Sequence, residues 1–404
     1  MAARSIDTLA VFGNAPAFAE PLHVGRPNIG NRQRLRERIE DLLDRRYLTN
    51  IGPYAKEFEQ RVREIAGVRE CVATCNGTIA LEILIRAAGL TGEVIVPSFT
   101  FAATAHALQW QEIKPVFCDI DPRTHTLDPD RIEELITPKT TGIMGVHLWG
   151  RACEVERLQR IADKHGLKLL FDASHAFGCS HRRRMIGGHG VGEVFSFHAT
   201  KFLNSFEGGA IVTDDSELAE KMRLMRNFGF ESRDRVIYLG SNGKMTEVCA
   251  AMGVTSIESM DEFVDANRRN YRHYRERLGR LGGLTVMPYA EDESSNYNYV
   301  VVDVDEQAFG LSRDQLLHVL EAENILARRY FYPGVHRMEP YRSLQPQAAL
   351  VLPETERLCE RILTLPTGQT VEAGDVDRIA DVIETACVNA PALRAQLDGL
   401  VLTS

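Results

Sequence analysis

Seven short apolar runs alternate with helical stretches between residues 71 and 213: Cys71–Thr74, Glu93–Ser98, Pro115–Ile120, Thr141–Leu148, Leu167–Phe171, Glu193–Phe197 and Ala210–Thr213. Runs this short, each followed by a helix-like segment, bury themselves as strands of a mostly parallel sheet covered on both faces. In such sheets ligands bind beyond the carboxyl ends of the strands. Function is therefore sought in the residues that follow each run.

The rest of the chain is arranged around this unit. Residues 1–30 are rich in Pro, Gly and Asn and read as an extended N-terminal arm. Residues 31–47 place Leu35, Ile39, Leu42 and Leu43 on one helical face, and a second helix follows Pro53. Helices take over near residue 247, including a long polar one at 261–280. A smaller α+β set follows, with strands near 297–305 and 325–329 and helices near 312–323 and 374–387. The expected organisation is an arm over 1–30, a large α/β domain over 31–260 and a small C-terminal α+β domain over 261–404. A chain of 404 residues is too long for one small core, in keeping with this division.

A net charge of −9 argues against general affinity for nucleic acid or an anionic membrane surface. No apolar run reaches the length of a membrane span, and the first twenty residues carry Asp7, Pro16 and Glu20 in place of a secretion signal's apolar stretch. The eight cysteines are scattered, without paired zinc-ligand spacing, and read as reduced thiols of a cytoplasmic protein. The histidines at 175, 181, 189 and 198 are irregularly spaced and lack a matching carboxylate set, so no metal site is expected.

Four strand ends carry chemistry. At Cys75-Asn76-Gly77-Thr78 a strand passes into a helix; Gly77 permits close backbone approach, and the first helical amides with the Thr78 hydroxyl can hold a phosphate, although a plain N-cap turn looks the same. Phe101, ending Pro97-Ser98-Phe99-Thr100-Phe101, can stack on a flat ring or simply fill the core. Asp172 ends an apolar run; a buried carboxylate needs a cationic partner, and a pyridinium nitrogen would serve, unless the Asp only caps a helix. Lys201 follows 29 residues later, with Ser196 five residues before it and Gly208-Gly209 after it. An enclosed lysine has its ammonium form disfavoured and becomes an amine able to attack a carbonyl. Each feature alone is ordinary. Together, in this order on one sheet, they are the parts needed to hold pyridoxal 5'-phosphate.

The chain also resembles the DegT/DnrJ/EryC1/StrS family of sugar aminotransferases, which share the aspartate-aminotransferase fold (fold type I). The likeness runs nearly the whole length, through Leu48–Pro53, Asn76-Gly77-Thr78, Val96–Phe101, Pro115–Asp119, Val146-His147-Leu148-Trp149-Gly150, Ser196–Lys201 and Glu207–Ala210. The resemblance implies that Lys201 forms the Schiff base with the cofactor and that Asp172 partners the pyridine nitrogen. It implies that Phe101 stacks on the ring, His175 lies by its phenolic oxygen, and Gly77, Thr78 and Ser196 hold the phosphate. Asn242 matches an Asn that reaches the phosphate from the neighbouring subunit, implying a homodimer with a shared site. Many relatives have Gln at the position of His175 and Arg at that of Lys244. Family members that are dehydratases carry His in place of the lysine, so Lys201 favours amino transfer.

Within the family, His198–Glu207, Arg226–Phe230 and Ala327–Gly334 are most similar to 4-aminotransferases acting on dTDP-4-keto-6-deoxyglucose. The implied reaction gives dTDP-4-amino-4,6-dideoxyglucose, with L-glutamate as donor and 2-oxoglutarate as its product. Competing readings are a 3-amino sugar enzyme, another nucleotide specificity, or a catalytically idle sugar-nucleotide-binding protein. Arg328, Tyr330 and His336 lie in the part that lines the substrate mouth in this fold and are candidate substrate contacts. Arg182-Arg183-Arg184 is read as a solvated turn in preference to a diphosphate site. Gly188–Gly192 precedes a strand and lacks the long following helix of a dinucleotide loop.

Overall fold

The computed structural model describes residues 6–401. The first five residues of the arm and the last three of the chain lie outside the described residues. Two helices, α1 (Arg32–Arg45) and α2 (Pro53–Ala66), lead into the α/β unit. That unit runs β1 (Glu70–Thr74), α3 (Gly77–Ala87), β2 (Glu93–Pro97), α4 (Ala102–Gln109), β3 (Lys114–Cys118), β4 (Thr140–Val146), α5 (Val155–His165), β5 (Lys168–Asp172), β6 (Gly192–Ser196) and β7 (Gly209–Thr213). All seven apolar runs are strands of one sheet, in the order β1-β7-β6-β5-β4-β2-β3. Every pairing is parallel except those of β7, which runs antiparallel to both its neighbours. The sheet is thus an aspartate-aminotransferase-like α/β sheet, mixed through one strand. Helix α6 (Ser216–Met225) packs against α3 on one face, and α7 (Glu247–Glu258) against α2.

The helices form where their signals stand. Asn76 caps α3 by accepting from the Ile79 N–H at 2.8 Å, Pro53 opens α2, and Gly67 closes it in the left-handed conformation. Helix α1 departs from the expected face: Leu42 is buried, but Leu43 is exposed and Arg38 is buried in its stead. The Arg38 guanidinium reaches Thr255 Oγ1 at 2.8 Å and Glu258 at 2.9 Å, so a satisfied ion pair occupies the seam with α7.

The C-terminal part begins with α8 (Met260–Leu278) and builds a three-stranded antiparallel sheet from β8 (Leu284–Val286), β9 (Val300–Val304) and β10 (Ile362–Leu365). Helices α9 (Arg313–Ala322) and α10 (Ala373–Val388) pack around it. The N-terminal segment makes two 3₁₀ turns and a short parallel pairing of Leu22–His23 with Ile325–Leu326. Leu9, Phe18 and Leu22 enter the C-terminal core. The segment is held by buried Glu323, whose carboxylate accepts from the Ala10 and Ala17 N–H groups, each at 2.7 Å. Replacing that acceptor strands two amides. Glu323→Ala is expected to lose about 2–4 kcal/mol in denaturant unfolding and to open the segment before residue 30 to limited proteolysis, while Glu323→Gln loses less. Equal stability of wild type and Glu323→Ala would refute this anchoring.

Candidate active site

Strands β1, β2, β4, β5 and β6 all point their carboxyl ends to one edge of the sheet, and a cavity of about 500 Å³ opens there. Gly77, Thr78, Phe101, Asp172, His175, Ser196, Lys201, Arg328 and Tyr330 all line it. Nine candidates spread from Gly77 to Tyr330 in sequence share one space.

Asp172 is the last residue of β5 and is buried. Its Oδ2 accepts from Thr104 Oγ1 at 2.8 Å, Thr104 is in turn bonded to Thr100 at 2.9 Å, and its Oδ1 accepts from the Ser174 N–H at 3.1 Å. These bonds fix the carboxylate in place. Lys201 follows β6 and is held by its backbone N–H donating to the His198 carbonyl at 2.9 Å. Its Nζ has no hydrogen-bond or ion-pair partner among the described residues. The side chain retains contact with the cavity's own space but is ringed by protein, and this desolvation lowers its pKa from 10.5 to about 8, against an opposing pull from Asp172.

The opposite end of the cavity is a cradle. Gly77 begins α3, whose first N–H groups lack intrahelical partners. A Cβ on Gly77 would stand 3.1 Å from the Ser196 Cβ, so only glycine leaves the helix start, Thr78 and Ser196 this close together. Phe101, at the N-cap of α4, is 63% exposed beside the cavity, a large ring without a core to fill. A cradle of amides and hydroxyls, a free aromatic face, a buried carboxylate and a desolvated amine fit the phosphate, ring, ring nitrogen and aldehyde of pyridoxal phosphate.

His175 lies against an aromatic wall of Trp149, Tyr299 and Phe331. Burial, and then the charge of Lys201, hold its pKa well below the usual imidazole range. Arg328 sits over the Tyr330 ring at 5.8 Å and faces the cavity, whereas Arg329 is paired with Asp314 at 3.1 Å.

Two candidates stand elsewhere. His336 is buried away from the cavity: Nδ1 bonds Ser98 Oγ at 2.6 Å, Nε2 bonds Glu356 at 2.6 Å, and its backbone N–H donates to Ser98 Oγ at 2.9 Å. It ties the segment carrying Arg328 and Tyr330 to the end of β2, so its expected contact with substrate is corrected to a structural one. Asn242 is exposed on a loop that does not line this chain's cavity. That loop is pinned by the Cys75 N–H donating to the Gly243 carbonyl at 2.8 Å and by Lys244 Nζ donating to Asn227 at 2.7 Å. Lys244 thus secures the loop by a hydrogen bond. The Arg182–Arg184 turn is held by the backbone N–H groups of Arg182 and Arg183 donating to Glu293, away from the cavity.

Sequence reasoning missed Thr104, the aromatic wall, and His198 and Glu207, which also line the cavity. Trp149 lay within Val146–Gly150 and Phe331 within Ala327–Gly334, two of the stretches that carry the family resemblance; Tyr299 gave no signal.

The depressed lysine has a thermodynamic signature. Below pH 8 the folded protein carries the full cost of a desolvated ammonium, and that cost is relieved between about 8 and 10.5 as the folded amine loses its proton first. Cofactor-free Lys201→Met is therefore expected to be more stable than wild type at neutral pH by on the order of 1–3 kcal/mol, with the difference shrinking through that window. A gain independent of pH, measured by thermal unfolding, would contradict the assignment.

A model of the DegT/DnrJ/EryC1/StrS aminotransferase family matches residues 30–384. The chain is 37% identical to the dTDP-4-amino-4,6-dideoxy-D-glucose transaminase of Shigella dysenteriae, over 90% of this chain and 98% of that protein. It is 33% identical to the GDP-perosamine synthase of Caulobacter vibrioides, over 91% and 98%. Among solved structures it resembles DesI in the presence of its TDP-sugar product, with a TM-score of 0.94 and 49% identity, covering 98% of this chain and 100% of that one. A solved structure 26% identical to this chain, ntda from Bacillus subtilis, has the cofactor PMP bound. Sequence, fold and cavity agree: the chain belongs to the DegT/DnrJ/EryC1/StrS aminotransferase family, whose members depend on pyridoxal phosphate.

Proposed function

We propose that this nucleotide-sugar aminotransferase converts dTDP-4-keto-6-deoxy-D-glucose to dTDP-4-amino-4,6-dideoxy-D-glucose, taking the amino group from L-glutamate. The observation that carries the reading is the desolvated, unpaired amine of Lys201 in one cavity with the fixed carboxylate of Asp172. The choice of sugar is supported by the transaminase from Shigella dysenteriae and by the TDP-sugar product of DesI.

When bound, pyridoxal phosphate supplies an electron sink for the charge left as a carbon loses its proton. The chain's residues do the rest. Lys201 holds the cofactor between turnovers and, once released, has an amine poised near neutrality to take a proton from one carbon and return it to another. Asp172, oriented by Thr104 and Ser174, would hold the proton on the ring nitrogen. Gly77, Thr78 and Ser196 bind the phosphate, Phe101 covers the ring, and His175 meets the phenolic oxygen. Arg328, with no ion-pair partner among the described residues, supplies a cation for the anionic groups of donor and nucleotide, beside Tyr330.

The protein acts as a homodimer in this proposal, with Asn242 reaching the phosphate of the neighbouring protomer. Exposed Trp110, Phe228 and Leu239 lie near the Asn242 loop and offer the apolar surface such a pairing would cover. Among the described residues no helix is long and apolar enough to cross a membrane. All eight cysteines are free thiols, which supports a cytoplasmic location.

Purified protein with pyridoxal phosphate, glutamate and dTDP-4-keto-6-deoxyglucose is expected to give an equatorial 4-amine by NMR, with parallel-line, ping-pong kinetics. Lys201→Ala should lose several orders of magnitude in turnover. An axial 4-amine, a 3-amine, or amination of a GDP-linked sugar alone would keep the reaction class and refute the named product. Intersecting lines, or near-normal turnover by Lys201→Ala, would sink the mechanism.

A further inference from the structure

The ring of His175 is held by three aromatic neighbours and one backbone N–H. It lies tilted on Tyr299 at 4.4 Å between centroids and close to parallel with Trp149 at 5.8 Å and Phe331 at 5.9 Å. The backbone N–H of Trp149 donates to its Nδ1 at 3.4 Å. A ring nitrogen that accepts a backbone hydrogen bond carries no proton, so in the neutral ring the proton sits on Nε2. That nitrogen has no protein partner among the described residues, yet it is not a sealed orphan, and the ring lines the cavity.

The donor is itself forced into position. Trp149 adopts φ 60° and ψ 15°, a left-handed conformation costly for a bulky residue. Its indole is fully buried and anchored by Nε1–H donating to His125 Nδ1 at 3.3 Å. Gly150 continues the turn at φ 83°, where a Cβ would meet Cys179 Sγ at 3.1 Å. The turn is over-determined, as strain at a functional position requires.

The titratable groups facing the ring are Lys201 across the cavity, Asp172 at the start of the same turn, the phenols of Tyr299 and Tyr330, and His125 behind Trp149. Burial and the Lys201 charge both work against an imidazolium.

We propose that the Trp149 backbone N–H is a positioning group that fixes His175 in the Nε2–H tautomer, giving the cavity one permanent hydrogen-bond donor aimed at the phenolic oxygen of pyridoxal phosphate. The aim at that oxygen rests on the cofactor reading above; the tautomer does not. A neutral Nε2–H offers the oxygen what a glutamine amide offers, so His175→Gln keeps the donor and His175→Ala removes it.

The test uses cofactor-free protein labelled with ¹⁵N-histidine, observed from about pH 6 to about pH 9, a range that starts below the ordinary imidazole midpoint. The His175 signal is assigned by its loss in His175→Gln. A protonated Nε2 and an unprotonated Nδ1 are expected throughout, and equally in Trp149→Phe, which keeps the backbone N–H. A proton on Nδ1, a doubly protonated ring near the ordinary midpoint, or a tautomer that switches in Trp149→Phe would overturn the proposal. In cofactor-loaded protein, the pH midpoint of the visible absorption should match wild type in His175→Gln and rise by about one unit, tenfold in proton affinity, in His175→Ala. Unchanged midpoints in His175→Ala would overturn the aim at the phenolic oxygen. Protein that takes up no cofactor would instead sink the cofactor reading and leave the tautomer result standing.

Discussion

Asp172 and Lys201 line one cavity with opposite demands on their surroundings. A carboxylate taken out of water must be bonded, and an amine taken out of water gives up its proton more readily. The two are not paired in a salt bridge. Asp172 is satisfied by Thr104 and Ser174, while Lys201 Nζ has no partner among the described residues and is desolvated to a pKa of about 8. A tight pair would have neutralised both, leaving neither an amine to react nor a carboxylate to receive a ring nitrogen. The remaining structure keeps these groups close and apart.

The sheet does most of this. Parallel neighbours put Asp172 at the end of β5 in register with Val194 of β6, whose continuation carries Ser196 and then Lys201. Strand ends in a sheet buried on both faces have little freedom to shift, so a chemical group attached there is positioned by the whole core. The C-terminal part closes the cavity with Tyr299 from just before β9 and with Arg328, Tyr330 and Phe331. His336 locks that contribution by joining Ser98 at the end of β2 to Glu356. The N-terminal segment, through Glu323, braces the C-terminal part.

The legible part of this arrangement was the part that the chain carries locally. Each of the seven strands is an apolar run because both of its faces are covered, and Gly77, Asp172, Ser196 and Lys201 could be read because they sit where those runs end. The aromatic wall was not legible as a wall: Trp149, Tyr299 and Phe331 meet only after folding, and although Trp149 and Phe331 stand in stretches that carry the resemblance, nothing in either marks it as a neighbour of His175. His336 beside Arg337 looks the same in sequence whether it faces a mouth or bonds Ser98 more than 200 positions away in the chain. The short strands β8 and β10, three and four residues long, left no pattern strong enough to find. Arg38 shows the converse error, a charge buried where a leucine was expected, because Glu258 and Thr255 on α7 satisfy it.

The central claim is that one amine, that of Lys201, holds the cofactor in this cavity. Borohydride reduction of the loaded protein, followed by digestion and mass spectrometry, fixes the cofactor on whichever amine holds it. The account predicts a single modified peptide, the one containing Lys201. Modification of another lysine, or none in protein that is yellow, would contradict it.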